Sequence, residues 1–167
     1  MAMGDAAAMN GIAIMHEYGR GVPKDAEKAA EWYRKAAEAG NGHAMTMVAG
    51  RLKDAKNFVE AAKWYGRAAE LRVPGARLSQ AQMIGLAAER DRALAMYQEI
   101  LDEDPQDLQA WLEMGMELQA GKRIEAAKAA YRKAIELEAV GGGGAASQAR
   151  SRLRALEAAE NPRRNAD

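Results

Sequence analysis

The sequence predicts an all-α fold, a right-handed α-α superhelix (solenoid) of four helix-turn-helix repeats followed by a C-terminal capping helix. The first observation is composition: alanine and other strong helix formers are abundant and phenylalanine occurs once, which favours helices over sheets. The second is a recurring tyrosine, at Tyr33, Tyr65, Tyr97 and Tyr131, with spacings of 32, 32 and 34 residues. That period accommodates two helices and two short turns, so each unit is predicted to be a helical hairpin.

The second helix of each repeat carries the tyrosine. An alanine stands four residues before each tyrosine and a small or aliphatic residue three residues after it, so the three side chains share one helical face. The four segments are AAEWYRKAAE, AAKWYGRAAE, ALAMYQEILD and AKAAYRKAIE. Asp25 is the predicted N-cap of the first tyrosine helix, and Asn57 followed by Glu60 gives the same signal in the second repeat.

The first helix of each repeat is predicted upstream, at residues 5–18, 42–54, 75–87 and 107–120. Each carries a small residue that lets the tyrosine helix approach closely, namely Ala13, Ala49, Ala81 and Gly115. One hairpin alone would expose a wide apolar face, so the repeats are expected to stack. Their approximate bounds are 4–39, 40–72, 73–106 and 107–140, within a repeat domain of residues 1–140.

The end of the chain differs from the repeats. Four glycines at 141–144 are predicted to form a hinge, because glycine loses much conformational entropy in a helix. Residues 145–160 are predicted to form the capping helix, since apolar residues recur there at helical spacing. Residues 161–167 are predicted to be a disordered tail.

Composition excludes several classes of function. With 24 basic and 24 acidic residues, the chain has no net charge to attract nucleic acid. It has no cysteine, which excludes disulfides and thiolate metal sites. No apolar run approaches the roughly 20 residues needed to span a bilayer, so no membrane insertion is predicted. The N-terminus lacks the features of a signal peptide, and the localisation stays open between cytoplasm and periplasm.

The chemical motifs are incomplete. Gly115 and Gly121 are separated by five residues, whereas a phosphate-binding loop has four at that place. His16 and Glu17 begin a zinc-protease motif that lacks its second histidine. No serine has a neighbouring histidine in the sequence to activate it. We therefore predict no catalytic residue, no metal ligand and no cofactor, and the protein is predicted not to be an enzyme.

Two segments resemble known repeat families. The stretch GDAAAMNGIAIMHEYGRGVPKDAEKAAEWYRKAAEAG resembles a Sel-one-like repeat, and AWLEMGMELQAGKRIEAAKAAYRKAIELE resembles a tetratricopeptide repeat. These families share a helix-turn-helix fold, and the former has the longer loop. Here Ala13 and Tyr33 are 20 residues apart whereas Ala49 and Tyr65 are 16 apart, so YGRGVPKD is interpreted as the longer inter-helix turn. Both families are known for assembling complexes, so the resemblance implies a protein-binding role.

The first helices are expected to form a concave groove. Its predicted lining is Asn10, Ile14, Glu17, Thr46, Met47, Leu78, Gln82, Leu112, Met116 and Gln119. The methionines and aliphatic residues in this set would make a soft apolar groove, suited to an amphipathic helix or an extended segment. It also remains open that the C-terminal helix or ordinary packing occupies part of this groove.

The predicted function is therefore that of a non-catalytic adaptor or scaffold that binds a protein or peptide and no nucleic acid. The alternative is self-assembly into a homo-oligomer, joined through uncapped ends or an exchanged C-terminal helix.

Overall fold

The computed structural model describes residues 3–138 and 144–160, and within those ranges it consists of nine α-helices without a strand. The helices are α1 (Met3–Tyr18), α2 (Ala26–Glu38), α3 (Gly42–Asp54), α4 (Phe58–Glu70), α5 (Ala76–Leu86), α6 (Arg90–Glu103), α7 (Leu108–Ala120), α8 (Ile124–Glu138) and α9 (Gly144–Glu160). The all-α prediction is confirmed. Most of the predicted hinge, at 141–143, and the predicted tail at 161–167 lie outside the described residues, and the division into four repeats stays a prediction.

The chain divides into two compact units after Ala87. Unit 1 contains α1 to α5, and each of its helices packs against the next one along the chain. Unit 2 contains α6 to α9; α7 packs against both α6 and α8, and α9 packs against α8 and α7. Packing between sequential antiparallel neighbours is what short connections between helices favour.

Three of the four repeating tyrosines are fully buried, namely Tyr33, Tyr97 and Tyr131. The fourth, Tyr65, is only half-buried, and its neighbour Trp64 takes the core position with 7% of its surface exposed. Tyr65 still packs against the core of unit 1, but it does so from its edge. Adjacent residues on a helix point about 100° apart, so the two rings cannot be equally buried, and Trp64 is the one that lies in the core.

The glycine-rich loop between α1 and α2 is an inter-helix turn, as predicted. Gly19 and Gly21 have positive φ angles of 70° and 74°, a region that glycine adopts without steric cost. The amide of Arg20 donates to the carbonyl of Met15 over 2.9 Å, and the amide of Asp25 donates to the carbonyl of His16 over 2.8 Å. The loop thus satisfies backbone groups at the end of α1 and leads directly into the cap of α2.

Side-chain caps begin several helices. Asp25 Oδ1 accepts hydrogen bonds from the amides of Glu27 at 3.1 Å and Lys28 at 2.9 Å, and the backbone bond from Lys28 holds the pKa of this carboxyl below its usual range. Asn57 Oδ1 accepts from the amide of Glu60 at 3.4 Å. Both predicted N-caps are confirmed, which explains why α2 and α4 begin where the sequence indicates.

A cap that the sequence analysis did not identify provides a test. Asn41 Oδ1 accepts from the amide of Ala44 at 2.8 Å at the start of α3. Asn41→Ala should lower the free energy of unfolding by about 1 kcal/mol, because a helix amide loses its acceptor. Urea unfolding followed by circular dichroism measures the change. Asn41→Asp keeps an acceptor at the same place and should stay close to the wild type; an equal loss in both variants would contradict the capping role.

Candidate functional site

The structure brings α1 and α3 of unit 1 together along a strip of side chains. At one end Asn10 Oδ1 lies 3.1 Å from His43 Nδ1, and at the other Arg51 Nη2 lies 3.7 Å from Glu17 Oε1. Residues three and four apart share one face of a helix, so Ile14 on α1 lies between Asn10 and Glu17. We call this set, completed by Met47 on α3, the α1–α3 strip.

Two apolar side chains occupy the middle of the α1–α3 strip. Met47 is four residues from both His43 and Arg51, so it lies between the two polar contacts on α3 just as Ile14 does on α1. Both side chains are half-buried and pack against the core of unit 1. The strip therefore presents the partly exposed surfaces of an isoleucine and a flexible methionine between polar ends.

Glu17 is held from two directions. Tyr33 Oη on α2 donates a hydrogen bond to Glu17 Oε2 over 2.6 Å, and Arg51 on α3 forms the ion pair with Glu17 Oε1. The Arg51 guanidinium also donates to the carbonyl of Ala26 over 3.3 Å. Burial and the neighbouring Glu17 carboxylate raise the pKa of Tyr33 above its usual range. Tyr33 is thus a protonated donor at neutral pH, and this end of the strip is anchored to α2 as well as to α3.

The other predicted residues of unit 1 lie near the strip or on α5. Thr46 is half-buried, and its Oγ1 donates to the carbonyl of His43 over 2.7 Å, a bond within α3. Leu78 and Gln82 are half-buried on α5, which packs against α4. Of the residues predicted here, Asn10, Ile14, Glu17 and Met47 are those that the structure brings together.

In unit 2 the predicted residues lie in or beside the core that α7, α8 and α9 form. Leu112 is fully buried, in the same core cluster as Ala149 of α9, so it is not available to a partner and its assignment to an open groove is corrected. Met116 is half-buried against that cluster, and Gln119 Oε1 accepts a hydrogen bond from Tyr131 Oη over 2.7 Å. Leu112 is buried because α9 packs against both α7 and α8.

Sequence reasoning missed a small cavity in unit 1. It has a volume of about 180 Å³, lies between α2 and α3, and is lined by Ala30, Arg34, Val48, Arg51 and Leu52. Both arginines already have carboxylate partners, since Arg34 lies 3.6 Å from Glu38 and Arg51 pairs with Glu17. On each helix the lining residues are three or four positions apart and so share one face. The sequence does not show that these two faces are neighbours.

Residues 3–138 and 144–160 contain no group of three or more His, Asp or Glu side chains arranged to hold a metal ion. His16 is half-buried, and its Nδ1 has no protein partner. In the described part of the chain, no helix combines the length and apolar character that a bilayer crossing requires.

Comparison with known protein families agrees with the repeat pattern. The family model of the Sel1 repeat matches residues 6–41 and 44–73. These two segments are similar to Sel1 repeats. The first matched segment contains α1 and α2 and the second contains α3 and α4, so the α1–α3 strip is formed by the first helices of both matches. The predicted resemblance to Sel-one-like and tetratricopeptide repeats is confirmed.

Solved structures show the same fold. A Sel1 repeat protein from Oxalobacter formigenes is 28% identical with a TM-score of 0.60, over 85% of this chain and 61% of that one, so our chain spans less than two thirds of its length. YrrB, a tetratricopeptide-repeat protein with an unusual peptide-binding site, is 22% identical with a TM-score of 0.68, over 87% of this chain and 74% of that one. MamA from Desulfovibrio magneticus RS-1, from residue 41 to its end, is 18% identical with a TM-score of 0.64, over 96% and 99%.

These neighbours confirm the all-α, solenoid-like fold class. None of the curated proteins matches the chain in sequence. Sel1 and tetratricopeptide-repeat proteins generally mediate protein–protein interactions and are typically non-catalytic scaffolds.

Proposed function

We propose that this protein is a non-catalytic adaptor or scaffold that binds a segment of a partner protein on the α1–α3 strip. The observation that carries the proposal is the position of Ile14 and Met47, which are partly exposed between the Asn10–His43 contact and the Glu17–Arg51 contact. Apolar anchors surrounded by polar groups are the usual composition of a recognition surface.

The strip is suited to a short helical or extended partner. Ile14 and Met47 offer an apolar contact, and the methionine can adapt its shape to different side chains. The polar groups at the two ends can position a segment along the strip by hydrogen bonds. A peptide ligand is further supported by YrrB, which shares the fold and has a peptide-binding site.

Preorganisation favours binding at this place. Glu17 is fixed by Tyr33 Oη at 2.6 Å and by Arg51, so three helices of unit 1 meet at this end of the strip. A rigid surface loses little conformational entropy on binding, and most of the ordering cost falls on the partner segment.

A charge at the centre of the strip tests the proposal. Met47→Glu should weaken binding of the partner segment at least tenfold, because a carboxylate would be desolvated against an apolar contact. Proteins retained by the immobilised wild type are identified first, and the dissociation constant of the partner is then measured for both proteins by calorimetry.

Val59→Glu is the matched control. Val59 is 53% exposed on α4 and lies in the first turn, where a glutamate is favourable. This variant should bind like the wild type, and all three proteins should have the same helical circular dichroism. Equal affinity of the Met47→Glu variant and the wild type would exclude the strip as the binding site.

A further inference from the structure

The last helix is attached to unit 2 by a narrow apolar seam. Ala146 and Ala149 are the buried residues of α9, and Leu153 and Leu156 are half-buried against the core of unit 2. Two alanines bury far less apolar surface than the tyrosines of the other helices. A segment with few buried apolar contacts separates from its neighbours at a lower free energy than the rest of the fold.

Ion pairs supply the second part of this attachment. Lys128 Nζ on α8 contacts Glu160 Oε2 on α9, and it also lies 3.0 Å from Glu125 Oε1. Arg132 Nη2, four residues further along α8, lies 3.0 Å from Glu157 Oε1. We call Lys128, Arg132, Glu157 and Glu160 the α8–α9 clasp.

The charges of the α8–α9 clasp are separated by helix. Its cations are both on α8 and its anions are both on α9. The Lys128 side chain is only 5% exposed, so it depends on its carboxylate partners more than a surface lysine would. The surface under α9 therefore selects a helix with small residues in its first half and an acidic final turn.

We propose that this surface of α7 and α8 also docks the α9 helix of a second copy of the chain, so that two protomers exchange their last helices. Every contact of α9 with α7 and α8 can be made identically between two copies, and the exchange sacrifices none of them. This inference goes beyond the binding of a partner segment to the α1–α3 strip and does not depend on it.

In the closed form α9 docks on its own chain, and in the exchanged form it docks on the second copy. The protein concentration determines which form predominates. A helix tethered to its own chain has an effective concentration of the order of millimolar. The wild type is therefore closed and monomeric in dilute solution, and the exchanged form dominates when closure within one chain is blocked while docking between chains is not.

Reversing the charges on one side of the α8–α9 clasp should block closure within one chain while leaving docking between two different variants possible. The first variant carries Lys128→Glu and Arg132→Glu, and the second carries Glu157→Lys and Glu160→Lys. Each variant brings like charges together within its own chain and within its own homodimer. An equimolar mixture of the two restores opposite charges at both docking sites of a heterodimer.

Sedimentation velocity and native mass spectrometry of the full-length proteins measure the result. We expect each variant alone to be monomeric and the mixture to give a heterodimer of twice the mass, which dissociates at high salt. The variant with all four substitutions should be monomeric, because it restores attraction within one chain. Monomers in the mixture, or dimers in either variant alone, would overturn the proposal.

Two single substitutions avoid the buried position 128, where a carboxylate could prevent folding. Arg132→Glu and Glu157→Arg change only the pair whose side chains are 57% and 48% exposed, so both variants should retain the wild-type circular dichroism. The Lys128–Glu160 contact remains in both variants, so at protein concentrations approaching millimolar their mixture should contain a larger fraction of dimer than either variant alone. Equal dimer fractions in the mixture and in the separate variants would overturn the proposal. Met47→Glu lies in unit 1 and should leave this behaviour unchanged.

Discussion

Tyr33→Ala should destabilise the protein by about 3–5 kcal/mol, the loss typical when a large buried aromatic side chain is removed. Tyr33 is 1% exposed and lies in the core cluster of unit 1 with Ala13 and Ala49. Alanine would leave a cavity among side chains that are themselves too small to fill it. The midpoint of urea unfolding, followed by circular dichroism, measures the loss.

Two matched variants separate the ring from the hydroxyl. Tyr33→Phe keeps the ring and removes only the bond from Oη to Glu17, and it should cost about 1.5 kcal/mol because the lost hydrogen bond is to a charged group. Tyr18→Ala removes a tyrosine that is 62% exposed and should change the stability by no more than about 0.5 kcal/mol. Similar losses for Tyr33→Ala and Tyr18→Ala would contradict the core role of Tyr33.

Because the pKa of Tyr33 is raised in the folded protein, the difference in stability between the wild type and Tyr33→Phe should depend on pH. In the unfolded chain tyrosine titrates near pH 10, whereas burial and Glu17 raise the pKa of Tyr33 in the folded protein. The folded state thus holds a proton that the unfolded state has lost, so the contribution is complete below pH 10 and declines as the pH rises towards the folded pKa. Tyr33→Phe should accordingly lose less stability than the wild type above pH 10.

Helix positions were predictable because their signals are local. The segment predicted at 42–54 is helix Gly42–Asp54, and the one predicted at 107–120 is Leu108–Ala120. Caps such as Asp25 act within a few residues of the chain, and the period of the tyrosines reports one repeat of two helices. Neither signal requires knowledge of which helices become neighbours.

Burial of individual residues was less predictable, because it depends on the neighbouring element. Ile14 and Leu112 occupy apolar positions on first helices of the pattern, but only Leu112 is fully buried, in a cluster that includes Ala149 of α9. Trp64 and Tyr65 are adjacent aromatic residues, and the packing of α4 determines which one is buried. The pairing of Asn10 with His43 is likewise a contact between helices that periodicity alone does not reveal.

Gly115→Val should lower the free energy of unfolding by about 3 kcal/mol, at the upper end of the usual cost of overpacking. A Cβ atom at this position would lie 2.6 Å from Cε1 and 2.7 Å from Cδ1 of Tyr131. The ring cannot move aside easily, because it is fully buried and its hydroxyl is bound to Gln119 on the same helix as Gly115. Urea unfolding of the full-length protein, followed by circular dichroism, measures the effect.

Gly11→Val provides the opposite expectation at a helical glycine. A Cβ atom there would meet no side chain and no backbone of another helix within 4 Å, and valine has a better helix propensity than glycine by a few tenths of a kcal/mol. This variant should match or slightly exceed the wild type in stability. If both valine variants were equally stable, the close approach of Tyr131 to α7 would not be what requires glycine at position 115, and the absence of a side chain there would have no packing role.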